Sequence, residues 1–292
     1  MVLMEADTGR SSQSVLPEPR GPRNVSLIYH DIVATGAEGA SGFPGPAAER
    51  YKISAGLFAE HLRALRSVVE RRTAITPCTS DMMESLPPHV TALLLHFDDG
   101  GRSALHAADL LEMHGFRGHF HIVTSMLGRP GFLAVGSLRD LVARGHEIGT
   151  HSVTHPARID RLAWPDLVAE WRDSRDSLCD VVGRSVTIGA VPGGWFTRRV
   201  AEAANAAGLR TLFTSEPVTK PKLMESCMVL GRFAVVHNTP ATRAASLLEG
   251  SRSSQSRAWL AWNAKKLAKS LPGPLWQHLR ALAIRLTSTG KK

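Results

Sequence analysis

The sequence has no long apolar run. No stretch is long and apolar enough to cross a bilayer, which excludes a chain threaded through the membrane as helices. Cysteine is scarce. Cys78, Cys179 and Cys227 are far apart and odd in number, and no Cys-x-x-Cys occurs. A disulfide framework is therefore excluded, and the three read as packed thiols in a reducing compartment. A secretory signal is also missing: Met1-Val2-Leu3-Met4-Glu5-Ala6-Asp7 turns acidic almost at once. The cytoplasm is the compartment this predicts. No residue repeat suggests a solenoid. No zinc finger, RNP-like motif or basic aromatic platform is present, which argues against a nucleic-acid partner.

What remains is ordinary globular composition, 43% hydrophobic and 21% charged in 292 residues. The net charge of +9 reads either as solubility or as attraction to an anionic surface such as acidic glycan, lipid headgroups or nucleic acid, the last being the weakest. Residues 8–23 are rich in Ser, Pro, Gly and Arg, and the 1–23 segment reads as disordered. From 24 to 249, short apolar strands alternate with amphipathic helices. Strands are expected at Val25–His30, Thr91–Leu95, Gly118–Val123, His146–Thr150, Val186–Ala190, Arg210–Thr214 and Arg232–Val236. Asp31 to about Arg50 reads as a loop, and Ser54 and Thr197 as helix N-caps. The pattern predicts an α/β fold, a distorted (β/α) barrel of about seven strands. Residues 250–257 read as a linker. Residues 258–292 read as a basic tail of two short amphipathic helices split by Pro272-Gly273-Pro274. Packing on the barrel is the expectation for that tail. Peripheral membrane contact, at the inner membrane surface, is the alternative, helped by Trp259, Trp262 and Trp276.

Two stretches carry chemistry. The first is His96-Phe97-Asp98-Asp99-Gly100, at the carboxyl end of an apolar strand where α/β proteins place their sites. One carboxylate of the pair can hold a cation while its neighbour acts as a base. The second is His151-Ser152-Val153-Thr154-His155. Two histidines four apart would share one face of a helical turn. Asp99, His151 and His155 make a His₂-carboxylate set, the ligand count of a catalytic rather than a closed zinc site. His96, His119, His121 and His146 are expected in structural roles; His119 and His121 share one strand face and would line the site if that face points into the barrel.

Phe97-Asp98-Asp99-Gly100, then His151-Ser152-x-x-His155 about fifty residues on, then Val191-Pro192-Gly193-Gly194, resembles the NodB-type polysaccharide deacetylases, carbohydrate esterase family 4. Tyr29-His30 is also typical of that family, and the resemblance spans roughly residues 25–240. It implies a metal-dependent enzyme, with zinc the expected ion, that removes N-acetyl groups from an amino-sugar glycan or glycan precursor. Asp99, His151 and His155 would hold the metal and Asp98 would be the general base. Pro192, Gly193 and Gly194 would contact substrate, and Trp195 could stack on a sugar.

The sequence departs from the pattern in three places. Where the family commonly carries an arginine that supports the base, this chain has Ala190, leaving Arg198, Arg199 or Arg232 as substitutes. In the fourth motif only Glu216 is acidic. Val235-Val236-His237 stands in for the fifth, making His237 the expected general acid. Two other readings stay open: a hydrolase of another amide, such as a formyl or cyclic amide, and a degenerate protein that binds carbohydrate without turnover.

Overall fold

The computed structural model describes residues 22–83 and 85–269. In chain order the elements begin with β1 (Arg23–Tyr29), β2 (Asp31–Val33), α1 (Pro46–Glu49), β3 (Lys52–Ser54), α2 (Ala55–Arg71), β4 (Ile75–Pro77) and α3 (Ser80–Met83). Next come β5 (Thr91–Phe97), α4 (Ala104–Met113), β6 (Gly118–Ile122), α5 (Val135–Ala143), β7 (Glu147–Thr150), α6 (Trp164–Val182), β8 (Ile188–Ala190) and α7 (Arg198–Ala206). The chain then runs through β9 (Thr211–Phe213), β10 (Lys222–Met224), β11 (Cys227–Leu230), β12 (Phe233–Ala234), α8 (Ala241–Leu248) and α9 (Arg252–Lys269).

The main sheet runs β10-β11-β9-β8-β7-β6-β5-β1-β12. All neighbours are parallel except the β10–β11 hairpin. The sheet curls back on itself through one short piece of chain. β11 lies beside β9, the chain steps across Gly231-Arg232, and β12 pairs with β1. Gly231 sits where a Cβ would stand 2.4 Å from the Glu216 carbonyl oxygen, so no larger residue fits the step.

Alternation along the strands divides the interior from the outer core. On β5, Leu93, Leu95 and Phe97 face outward into the main core. There they meet Phe58, Leu62 and Leu65 of α2 and Leu111 of α4. Burying a side chain such as Phe58 contributes about 1.5–3 kcal/mol. Ser54 caps α2 through its side chain, accepting from Leu57 N–H, and Thr197 does the same for α7 from Val200 N–H. The other β5 face, Ala92 and Leu94, joins Ile188, Ala190, Phe213 and Leu230 inside the barrel.

The structure differs from the sequence reading in several places. Asp31–Val33 is a strand, not loop, and pairs in parallel with Lys52–Ser54. The expected 250–257 linker is largely helical, because α9 begins at Arg252. Ser254 fixes that start: it is buried, and its Oγ is 2.8 Å from Ser246 Oγ of α8. Leu260 and Leu267 of α9 are exposed, so their stripe does not pack on the barrel as expected. No helix among the described residues is long and apolar enough to cross a membrane. The second tail helix and nearly all of the 1–23 segment lie outside the described residues.

Candidate active site

The site forms where β1, β5, β7 and β8 end. β1 and β5 run in register, Tyr29 opposite Phe97, so His30 and Asp98 come next on neighbouring strands. Asp98 N–H donates to Tyr29 O at 3.1 Å, fixing that step. Asp98 keeps the inward parity of Ala92, Leu94 and His96. Asp99 alternation would carry outward, but its φ of 78° turns the backbone into the left-handed region. Asp tolerates that region better than most side chains. The turn brings both carboxylates to one place.

His151 and His155 do not occupy a helical turn. Ser152 (φ 69°) and His155 (φ 54°) are both left-handed, and the segment is an irregular loop. Glu170 of α6 holds it, accepting from Val153 N–H, Thr154 N–H and Thr154 Oγ–H at 2.7–2.9 Å. Ser152 Oγ accepts from His155 N–H at 3.0 Å. The two imidazoles still converge. His151 Nε2 lies 3.6 Å, and His155 Nε2 3.8 Å, from Asp99 Oδ1. One donor atom from each of the three residues falls within 4.8 Å of the others.

This set fits a divalent cation. Donors of a tetrahedral zinc site, about 2.0–2.2 Å from the ion, stand roughly 3.3–3.6 Å apart. Burial pushes His151 down to about 3, and burial also lowers His155, so both imidazoles are neutral and able to ligate. His151 Nδ1 lies 2.8 Å from Ala190 O. A carbonyl only accepts, so Nδ1 carries the proton and Nε2 offers its lone pair toward Asp99. Burial pushes Asp99 up to about 7, and Asp98 and Asp31 add to the rise while His30 opposes it.

Asp98 has a different environment. Arg232 grips it through both oxygens, Nη1 to Oδ1 at 2.8 Å and Nη2 to Oδ2 at 2.9 Å. Both residues are buried, at 1% and 5% exposure. Burial alone would raise the Asp98 pKa. The guanidinium, with His151 and His121, outweighs it and holds the carboxyl well below the usual carboxylate range. Arg232 Nε also donates to Thr214 O at 3.2 Å, and Arg232 N–H to Glu216 O at 2.9 Å. The expected motif arginine is thus supplied by Arg232, across the barrel from Ala190. Arg198 instead pairs with Glu202 and Glu225 at the surface, and Arg199 lies over the Trp164 ring.

The remaining expected residues take several positions. Pro192-Gly193-Gly194 forms a tight turn after β8, with both glycines left-handed. A Cβ on Gly194 would stand 2.3 Å from Ser215 Oγ. Trp195 packs partly against the core cluster beside α6 and α7, and Arg158 covers its ring at 3.7 Å. One ring face is therefore taken. His237 turns to the backbone: its amide N–H and Nδ1 both approach Arg50 O, at 2.9 and 3.3 Å. Among the described residues it pairs with no carboxylate.

Two groups take places that the sequence left open. His30 stacks on Tyr51 with centroids 4.7 Å apart and has a buried Nδ1 with no hydrogen-bond partner among the described residues. His96, His119 and His121 are fully buried inside the barrel. His96 stacks on His119 at 4.5 Å, and His96 Nδ1 lies 3.0 Å from His121 Nε2. The alternation of His119 and His121 signalled one shared face; only the barrel shows that the face is interior. His146 lies outside, between Gly118 N–H and Glu112.

Residues 86–212, which contain both motifs and the Pro192 turn, match the family model described as polysaccharide deacetylase. A gellan lyase from Bacillus sp is 34% identical over 85 residues, 29% of this chain and only 3% of that protein. Among solved structures, the Streptococcus pyogenes deacetylase PplD, in complex with acetate, superposes with a TM-score of 0.63 at 17% identity. That match covers 78% of this chain and 98% of that one. IcaB from Ammonifex degensii gives 0.62 at 22% identity, with the same coverage. A polysaccharide deacetylase from Bacillus cereus gives 0.63 at 17% identity, over 78% of this chain and 69% of that one. At these identities the shared property is the curled (β/α) barrel. The family match over 86–212, and both motifs at the strand ends of that shared barrel, support a domain of the NodB-type polysaccharide deacetylase kind.

Proposed function

We propose that this chain is a metal-dependent deacetylase that removes N-acetyl groups from an amino-sugar-containing glycan or glycan precursor. One juxtaposition carries the reading. A neutral His₂ pair and Asp99 form a cation-binding set, and immediately beside it stands Asp98, 4.0 Å from His151 Nε2 and kept ionised by Arg232. When bound, a divalent cation, zinc by the donor types, supplies Lewis acidity that polarises an acyl oxygen and acidifies water.

The chain's own residues do the rest. Asp98 accepts a proton from the attacking water. The departing amine needs a proton in return, and we assign that role to His30 in place of His237. His30 is the neighbour of Asp98 across β1 and β5, and its charge acts directly on Asp99. The Pro192–Gly194 turn follows β8, whose Ala190 O lies 2.8 Å from His151 Nδ1, and its glycines are the proposed place for substrate to approach backbone without a Cβ in the way.

The test is acetate release from N-acetylglucosamine oligosaccharides by metal-loaded and chelated protein, with metal content measured on the same sample. Release that requires metal is the expected result. Metal bound without release from any N-acetylated, N-formylated or cyclic amide sugar would overturn the enzyme reading. Absence of metal binding would overturn the Asp99, His151, His155 assignment.

A further inference from the structure

Charge is not spread evenly along this chain. Residues 250–292 contain nine Lys and Arg and no Asp or Glu, so residues 1–249 hold twenty-six charges of each sign and are neutral. The whole net charge of +9 belongs to residues 250–292, the part of the chain that opens with α9. α9 has basic residues at 252, 257, 265, 266 and 269.

Its two faces differ. Ser254 and Ala258 turn inward, against Ser246 and the main core. Leu260, Ala264 and Leu267 recur at the spacing of one outward stripe, and Trp259 adjoins it. Trp259 is 47% exposed, Leu260 59% and Leu267 71%. Lys266 Nζ lies over the Trp262 ring at 4.9 Å. The helix is also tied to the catalytic rim. Lys265 Nζ donates to Tyr51 OH at 2.9 Å, and Tyr51 stacks on His30.

From this we infer that α9 is an interfacial helix that docks the enzyme on an anionic lipid bilayer, with the rim of the active site beside the membrane surface. Basic residues alone would suit any polyanion. Exposed Trp and Leu among them suit a headgroup layer, where the apolar stripe enters the acyl boundary and the ammonium groups meet lipid phosphates. A nucleic acid or acidic glycan would leave that stripe in water. The inference does not depend on the deacetylase reading, because binding is measured without turnover.

The full chain is sedimented with vesicles of phosphatidylcholine containing phosphatidylglycerol, and with vesicles of phosphatidylcholine alone. Binding to the anionic vesicles at least tenfold tighter, weakened by added salt, is expected, with a blue shift of tryptophan emission. Removing one basic charge near the surface should cost about fivefold, so Lys266→Glu, a reversal, should cost roughly thirtyfold. Leu260→Glu should abolish the emission shift. Both side chains are on the solvent face, so hydrolysis of a soluble substrate stays unchanged. Equal affinity for both vesicle types, or none for either, overturns the inference. So does unaltered binding by both variants, which would move the contact off α9. Binding to heparin or DNA that ignores Leu260→Glu, with vesicles left unbound, would assign the charge to a polyanion instead.

Discussion

Asp98 and Asp99 are consecutive, equally short and both withdrawn from water, yet the fold pushes them in opposite directions. Asp98 faces a guanidinium and two imidazoles, and stays charged far below neutrality. Asp99, 3.6–3.8 Å from two uncharged imidazoles and next to a permanent negative charge, is pushed up to about 7. Burial acts on both; the difference is the charged partner. A buried arginine thus separates two like residues, one held ionised and one whose proton leaves only near pH 7.

The largest effect should come from exchanging either carboxylate for its amide. Asp98→Asn is expected to lower kcat by roughly 10²–10⁴-fold, the worth of a general base, while metal content stays near that of the parent. Asp99→Asn is expected to lose the metal first and activity with it. Metal analysis and acetate release on the two variants side by side decide this; identical behaviour of the pair would erase the distinction between them.

Arg232→Gln should sharpen the comparison further. It leaves the Asp98 carboxylate buried without its counter-charge, at a stability cost of about 3–5 kcal/mol. The Asp98 pKa then rises, so at neutral pH part of the base is protonated and activity is recovered as pH increases. The acid limb of the pH–rate profile should move upward. Arg232→Lys, which keeps the charge but loses the fork, should fall between. An unmoved limb would show that the ion pair does not set the state of the base.

The smallest effect concerns Asp99 alone. In the metal-free chain its proton leaves near pH 7, whereas both histidines are already neutral. Metal uptake below that pH should therefore release about one proton. Affinity should rise about tenfold per pH unit up to about pH 7 and then level. Calorimetry in buffers of different ionisation enthalpy measures the proton directly.

Much of this site could be read from local sequence. Asp99 and His151 come within two residues of strand ends, His155 follows four residues later, and their residue types name their chemistry. The conformation between the histidines could not be read. Four-residue spacing suits a helix, but Glu170, fifteen residues past His155, accepts from Val153 N–H and Thr154 N–H and holds the segment as an irregular loop. Arg232 was only one of three arginines on offer, since its meeting with Asp98 is made by closing the barrel across 134 residues of chain. Motif order points to His237 as the general acid; the strand register, which is not written in the sequence, puts His30 beside Asp98 and is the ground for proposing it instead. The barrel itself was legible from alternating elements. The start of α9 was not, because Ser251 to Arg257 has loop-like composition and becomes helical where Ser254 docks on α8.

Gly231 and Arg232 perform two tasks with one step of chain. The step moves the strand from β9 to β1, and it delivers the guanidinium to Asp98. Closing the cylinder and arming the base are therefore a single event. On the proposed function, a molecule whose last strand has not settled would keep Asp99, His151 and His155 together but leave Asp98 without its guanidinium. Such a molecule would take up an ion before it could hydrolyse anything, and activity would wait on the completed cylinder.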